Sequence, residues 1–403
     1  MSVLVLVFIA AFSMIAFVLA FWLYLEAVAA VLAFRKRDVD AEPASLPPAP
    51  FAVIVPAHNE APVIAATIAN IKSQMRACDR LLIVADNCTD ETGAVARGNG
   101  AEVIERHDEG RCGKGYALQF GLDWLRDAPP ALVVFTDADC AFSKDALLSV
   151  VAAAERAGRP AQALYLMHAE GQAGPKMQVA EFAWLFMNNV RMRGLFKLAG
   201  VTRFTGAGFA APWRVLADLD LASGEIVEDL ALSMELVKNK AAPVFHAPAI
   251  VTSTFPNDEQ AQTRQAARWS IGSIRYAAQT AVTSFIEGIG RGRWRQVALA
   301  LDLMIPPLTV FTAFLLAVNA LSLLGWLATG AAAPFALAFV ALALTVFSVI
   351  LGWSAFGREA LPLSALGGGF QFLLSKLNVF GAKGRDSTKR WTPTRGGSDG
   401  AGE

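Results

Sequence analysis

Three short clusters of acid and amide side chains each follow an apolar run. His58, Asn59 and Glu60 come after Phe51–Val55 and the step Pro56-Ala57. Asp86-Asn87-Cys88-Thr89-Asp90 follows LLIVA, and Thr136-Asp137-Ala138-Asp139 follows ALVVF. In an open α/β sheet, ligands bind outside the carboxyl ends of the strands, so these are the positions where chemistry collects. Taken singly, each cluster also has a plain structural explanation, because Asn59, Thr89 and Asp90 are natural N-cap types. Three together are more than turns require. Asp137 and Asp139 are two carboxylates one residue apart. They offer hard oxygen ligands suited to Mg²⁺ or Mn²⁺, with diphosphate oxygens completing the shell. The alternative for this pair is that the acids cap the next helix.

Further along lie three weaker signals. Arg106 to Gly115 reads RHDEGRCGKG, where glycines permit close backbone approach and Lys114 offers a point charge to phosphate. The P-loop pattern is absent, and a solvated lysine in a glycine-rich loop is the simpler reading of this segment alone. Ile226-Val227-Glu228-Asp229 opens a helical stretch. Acids in a first turn complement the helix dipole, or one of them is a general base beside an attacking hydroxyl. Gln265, Arg268 and Trp269 fall at i, i+3 and i+4 and so share one helix face. Arg holds phosphate and Trp presents a flat face to a sugar; the alternative is a lipid-interface anchor.

Positioning these residues needs a scaffold. FAVIV, LLIVA and ALVVF are short, continuous apolar runs, as strands covered on both faces should be. Helical patterns near 60–74, 89–98, 113–128 and 144–156 alternate with them, which predicts an α/β sheet with right-handed crossovers over about 51–256. Around that domain the chain is apolar. Val3 to Phe34 lacks a basic start and is too long for a secretory signal, so it reads as a retained membrane helix over 1–37. Arg35, Lys36 and Arg37 then put its end on the cytoplasmic side. A Pro-rich linker over 38–50 (Pro43, Pro47, Pro48, Pro50) cannot continue the helix. Residues 257–295 read as an amphipathic interface helix with Arg264, Arg268, Trp269, Arg275 and Tyr276, ended by Arg291, Arg293 and Arg295. Two spans, about Val297–Leu324 and Ala333–Trp353, follow across a Thr-Gly turn. Asp302, Pro306 and Pro307 imply that the first of these packs on protein. Residues 357–403 hold a weaker stretch, Leu361–Leu377, read as interfacial or re-entrant, and a basic tail with Lys383, Arg385, Lys389 and Arg390.

Composition agrees with a membrane protein. Apolar residues make up 55% of the 403 and charged residues only 17%. Formal net charge is zero, so no basic surface for nucleic acid is implied. Cys78, Cys88, Cys112 and Cys140 show neither CxxC nor finger spacing and read as reduced thiols.

The ordered set VPAHNE (55–60), DNCTD (86–90), the GKG loop, TDAD (136–139), TGAGF (205–209), ED (228–229) and QAARW (265–269) resembles the family 2 glycosyltransferases. The nearest branch is the membrane-bound cellulose, chitin and hyaluronan synthase-like one. The resemblance spans about residues 50–290. It implies a nucleotide-sugar fold of the GT-A kind, a mixed sheet flanked by helices, an inverting transfer and a divalent cation, Mg²⁺ or Mn²⁺. It further implies that Pro56, His58, Glu60 and Asp86 meet the nucleoside, and that Lys114 approaches the diphosphate. Asp137 and Asp139 would meet diphosphate and metal, Asp139 more directly. Asp229 would be the base, with Gly206, Gly208 and Glu228 on the acceptor side. Gln265, Arg268 and Trp269 would close over donor diphosphate and acceptor sugar. The donor implied is a nucleotide sugar, by default a uridine diphosphate one. The acceptor is a growing polysaccharide or a lipid-linked glycan at the cytoplasmic face of the inner membrane, with membrane lipid and subunits of an export system as partners. Transfer of a single sugar to polyprenyl phosphate, or an inactive scaffold of the same fold, are the rival readings. A transporter would need more spans.

Overall fold

The structure, a computed structural model, describes residues 3–33, 49–169, 171, 173–222, 227–256, 258–365 and 367. Several features expected from the sequence lie outside the described residues: Arg35-Lys36-Arg37, linker residues Pro43, Pro47 and Pro48, Ile226, Asn257, most of 361–377 and the basic tail. The chain divides into two compact units. One gathers Met1–Phe34, Gly174–Gly200 and Ser273–Lys376; the other gathers Arg35–Ala173, Val201–Gly272 and Leu377–Glu403.

In chain order the first elements are α1 (Val3–Ala33), β1 (Phe51–Ala57), α2 (Ala61–Lys72), β2 (Arg80–Asp86), α3 (Thr92–Gly98), β3 (Glu102–Arg106), α4 (Lys114–Leu125) and β4 (Leu132–Phe135). Next come β5 (Ala141–Phe142), α5 (Ala146–Ala157), β6 (Ala161–His168), α6 (Pro175–Leu185), a π-helical segment Phe186–Arg191 and α7 (Met192–Ala199). The middle of the chain continues with β7 (Phe209–Pro212), α8 (Trp213–Leu216), α9 (Glu228–Lys238), β8 (Val244–Thr254) and α10 (Glu259–Tyr276). A second π segment, Ala277–Ala281, leads to α11 (Val282–Gly290), α12 (Trp294–Met304), α13 (Leu308–Thr329) and α14 (Ala333–Gly352), and a third, Trp353–Gly357, follows.

The second unit is built on an eight-stranded mixed sheet of order β3-β2-β1-β4-β7-β6-β8-β5. β1 pairs in parallel with both β2 and β4, in register Val53↔Leu81 and Ile54↔Phe135. β7 runs antiparallel to β4 and β6, placing Phe209 opposite Phe135, and β5 is antiparallel to β8. The three apolar runs expected as strands are β1, β2 and β4, and the expected helices are present as α2, α3, α4 and α5 with ends moved by a few residues. The runs are unbroken because helices cover the sheet: Ile54, Val84 and Phe135 pack with Leu118, Leu122 and Leu125 of α4 and Leu232 and Leu236 of α9. Each such side chain taken from water contributes about 1.5–3 kcal/mol. Pro56 fits in β1 because pairing with β4 stops at Ile54, so a missing N–H costs that ladder nothing.

The first unit is helical. α1, α13 and the stretch Ala333–Gly357 are each long and apolar enough to cross a membrane. The second span differs from the expected Val297–Leu324. Pro306 and Pro307 divide that stretch, so α12 ends at Met304 and the span itself is Leu308–Thr329. The expected interface helix is likewise not one regular rod, because α10 and α11 are joined through a π segment. Gly174–Gly200 falls within the 51–256 stretch expected as one domain, yet it groups with the long helices. α7 lies so near α1 that a Cβ on Gly194 would sit 2.0 Å from the Glu26 carbonyl oxygen. Beside it, Arg191 donates from Nη2 to Asp302 Oδ1 at 2.8 Å and to the Asp302 carbonyl at 2.6 Å, while its Nε stands 3.6 Å from Glu26 Oε2. All three side chains are buried, so Asp302 does pack on protein. Charges in such surroundings persist only when paired.

Candidate active site

β1, β2 and β4 end side by side, and the polar clusters after them come together as a result. The first two clusters brace each other across the sheet edge. Asn59 Oδ1 accepts from the Thr89 N–H at 2.8 Å, and its Nδ2 donates to Thr89 Oγ1 at 3.1 Å. The Glu60 N–H donates to Thr92 Oγ1 at 2.8 Å, and the Ala61 N–H to Asp90 Oδ2 at 3.2 Å. The N-cap reading of Asn59, Thr89 and Asp90 therefore needs correction. The cap positions are Glu60 and Glu91, with no side-chain cap bond; Asn59 and Thr89 bond each other across the two loops, while Asp90 accepts from the first N–H of both helices, Ala61 at 3.2 Å and Thr92 at 2.9 Å. His58 Nδ1 donates to the Asp86 carbonyl at 2.7 Å. The buried Asp86 side chain takes Arg106 Nη1 on Oδ1 at 2.6 Å and Asn87 Nδ2 at 3.1 Å. Burial raises the Asp86 pKa, and Arg106 works against that rise.

The second gathering is electrostatic. Lys114, the first residue of α4, forms an ion pair with Asp137 and donates from Nζ to the Gly206 carbonyl at 2.6 Å. Burial works against its ammonium, yet Asp137, Glu228 and Asp229 together raise its pKa. Glu228 and Asp229 open α9. Burial pushes both carboxyls above their ordinary range; Asp229 adds to the rise at Glu228, and Lys114 opposes it at both. Arg203, buried in the approach to the TGAGF loop, also draws the Asp229 pKa down. Arg268 of α10 is lowered by burial and held up by Glu228 and Asp137, so it shares the same field. Gln265 and Trp269 lie on that helix, half-buried. Motifs separated by more than a hundred residues thus meet around Lys114.

The TGAGF loop is shaped by its glycines. Gly206 and Gly208 have φ of +85° and +71°, which side chains rarely adopt. A Cβ on Gly208 would stand 2.6 Å from Val251 Cγ2. Buried Gln162 staples the loop, accepting from the Thr205 N–H at 3.2 Å and donating to the Ala207 carbonyl at 2.8 Å. Ser233 ties it to α9, accepting from the Phe204 N–H at 2.7 Å and donating to the Asp229 carbonyl at 2.6 Å.

A divalent ion is implied by the paired acids, and the residues present fit one. Ligand atoms of Asp137, Asp139 and Cys140 all lie within 4.8 Å of one another. The two carboxylates supply the hard oxygens that Mg²⁺ or Mn²⁺ takes. The Cys140 thiol is buried and pushed well up in pKa, so it stays protonated and the oxygens carry the site.

Sequence reading singled out Lys114, Asp137, Glu228, Asp229 and Arg268, which the structure brings together. It singled out Asp86, His58 and Glu60, which sit at the adjoining strand ends. It did not single out Arg106, Arg203, Gln162 or Ser233. Arg106 had a findable signal, as a charge closing the strand-like run EVIER; Gln162 and Ser233 had none.

Residues 47–272, more than half the chain, match the family model described as Glycosyltransferase like family 2. No curated protein sequence matches the chain. Among solved structures, similarity extends to a mannosyltransferase from Pyrobaculum calidifontis in complex with GDP-Man and Mn²⁺, at 19% identity and a TM-score of 0.48, covering 90% of this chain and 99% of that one. A glucosyl-3-phosphoglycerate synthase from Mycobacterium tuberculosis with Mn²⁺, UDP and glucosyl-3-phosphoglycerate matches at 22% identity and 0.38, covering 56% and 80%. A mannosyl-3-phosphoglycerate synthase from Rubrobacter xylanophilus matches at 20% and 0.40, covering 62% and 77%.

Proposed function

The chain belongs to glycosyltransferase-like family 2, with a GT-A-type mixed sheet, and from that premise we propose that it is an inverting, metal-dependent hexosyltransferase of the membrane-bound, polysaccharide-synthase-like branch. One observation carries this reading. Lys114 interacts electrostatically with Asp137, Glu228 and Asp229, and Arg268 with Asp137 and Glu228, although the five come from four separate motifs. Such a set serves a reaction in which a diphosphate leaves and a hydroxyl attacks. Lys114 and Arg268 neutralise the leaving diphosphate. Asp137 and Asp139 would hold the divalent ion, which when bound adds positive charge at the diphosphate oxygens. Asp229 takes the proton of the acceptor hydroxyl, and its raised pKa suits a base working near neutral pH. Glu228, Gly206 and Gly208 shape the acceptor side. Pro56, His58, Glu60 and Asp86 frame the nucleoside, taken as uridine, and Gln265 and Trp269 close over donor and acceptor. With base and leaving group on opposite faces of the sugar, the anomeric centre inverts.

The long apolar helices of the other unit support a membrane setting. Arg291, Arg293 and Arg295 beside α12 favour a cytoplasmic catalytic face by the positive-inside rule, and so a polysaccharide or lipid-linked glycan as acceptor. The test uses full-length protein in nanodiscs with Mn²⁺ and a panel of nucleotide sugars, scored for release of nucleoside diphosphate. Release from one donor, abolished by chelation, by Asp139→Ala and by Asp229→Ala, is the expected result. No release and no nucleotide binding by folded protein would overturn the transferase reading. Product analysis then separates a polymer or glycan from polyprenyl-phosphate monosaccharide.

A further inference from the structure

We propose that Arg106 is a positioning residue that holds Asp86 and the glycine-rich loop leading to Lys114 in one frame, so that a nucleoside diphosphate meets both at fixed spacing. The proposal rests on the donor site proposed above. Arg106 closes β3 directly opposite Asp86 on the parallel strand β2. Its guanidinium is buried and has three different partners. Nη1 donates to Asp86 Oδ1 at 2.6 Å, Nη2 donates to the Arg111 carbonyl at 2.8 Å, and Nη2 stands 3.3 Å from Asp108 Oδ2. The guanidinium also lies 5.5 Å from the Tyr116 ring on α4. One side chain therefore touches the acid at the nucleoside end, the backbone of the connecting loop, and the helix that Lys114 begins.

The connecting segment, 107–113, contains neither strand nor helix, so it takes its shape from such bonds. Asn87 is the second clamp. Its Oδ1 accepts from the Asp108 N–H at 2.7 Å, its Nδ2 donates to the Asp108 carbonyl at 3.3 Å, and its own N–H donates to the Arg106 carbonyl at 2.8 Å. Only a planar fork with several donors serves partners in these directions; an ammonium on a single stem cannot. Arg106 also supports the ionised form of Asp86 where burial opposes it.

The test compares wild type, Arg106→Lys and Asn87→Gly as full-length protein in detergent. Glycine retains the positive φ of Asn87, +51°, while losing its side-chain bonds. Binding of UDP and GDP is measured by calorimetry with Mn²⁺ present, donor KM and kcat by product release, and folding by the thermal midpoint. Arg106→Lys should weaken nucleotide binding and raise donor KM about ten- to a hundred-fold, the effect of losing charge-assisted hydrogen bonds, with kcat changed far less. Asn87→Gly should do the same more mildly. A folded Arg106→Lys that binds and turns over as wild type overturns the proposal. So does a loss confined to kcat. If Arg106→Lys does not fold, an Asn87→Gly with unchanged donor KM overturns it. Wild type that binds neither nucleotide sinks the donor site itself and this inference with it; normal wild-type binding with unaffected variants sinks this inference alone.

Discussion

Glu228 and Asp229 are neighbours in sequence at the start of α9. Burial first, and repulsion from Asp229 second, raise Glu228 to about 7, while burial raises Asp229 to about 6 against the pull of Lys114. Adjacent carboxyls this close titrate as a pair. Raised acids favour the protonated folded form. Their contribution to stability is therefore full below the unfolded values, about 4, and is lost as pH climbs through about 6 to 7. Catalysis needs the reverse, an ionised base, so kcat/KM should rise across that window. Glu228 is still protonated where Asp229 ionises, so Glu228→Gln should leave the rising limb near 6. Asp229→Asn should cost about 10²–10⁴-fold at all pH. A pH–rate profile in which Glu228→Gln moves the limb to lower pH would show that Glu228 ionises first and would count against this order. At this scale the acids after the apolar strands were legible in the sequence, while Glu228 and Asp229 stood out only through the ordered set of motifs, since first-turn acids also suit the helix dipole. Their supports were not. Asn59 and Thr89 bond across about thirty positions, and Gln162 sits under Thr205 across forty-three. Local spacing carries no trace of such contacts.

Elements set where those groups stand, and the loop before β7 is tightly packed. Gly208 combines a positive φ with a Val251 methyl group where any Cβ would go. Gly208→Ala should cost about 1–3 kcal/mol in backbone strain and displace the Gly206 carbonyl that holds Lys114. A lower thermal midpoint with a larger loss in kcat is expected; unchanged midpoint and turnover would show the loop to be pliable. The apolar strands were legible because central parallel strands are apolar at every position. β3, β6 and β8 were harder: β3 is capped by Glu102 and Arg106, and β6 and β8 carry Gln162 and His246. The break at Pro306-Pro307 was visible as residues but was read as packing rather than as the end of α12, since hydrophobicity continues across it.

In the molecule as a whole, the segment Gly174–Gly200 was the least legible feature. Its helices resemble those of an α/β domain in composition, and their contacts with α1, α12, α14 and the segment Trp353–Gly357 group them elsewhere. Arg191 stands between Glu26 and Asp302 in the helical unit. Arg191→Met would take a buried cation from beside two buried acids, a loss of about 3–5 kcal/mol. The thermal midpoint of the solubilised protein should fall by several degrees; a midpoint equal to wild type would show that the trio contributes nothing net.

The position of β7 bears on how the chain is made. β7 alone joins the half-sheet β3-β2-β1-β4 to the half β6-β8-β5. It is synthesised only after α6 and α7, which belong to the other unit. A ribosome therefore delivers the four strands of the first half, and β5 and β6 of the second, before the strand that can connect them. Closure of the eight-stranded sheet must wait until the helical stretch from α6 through α7 has left the exit tunnel, so completion of the sheet is timed by the making of part of the helical unit.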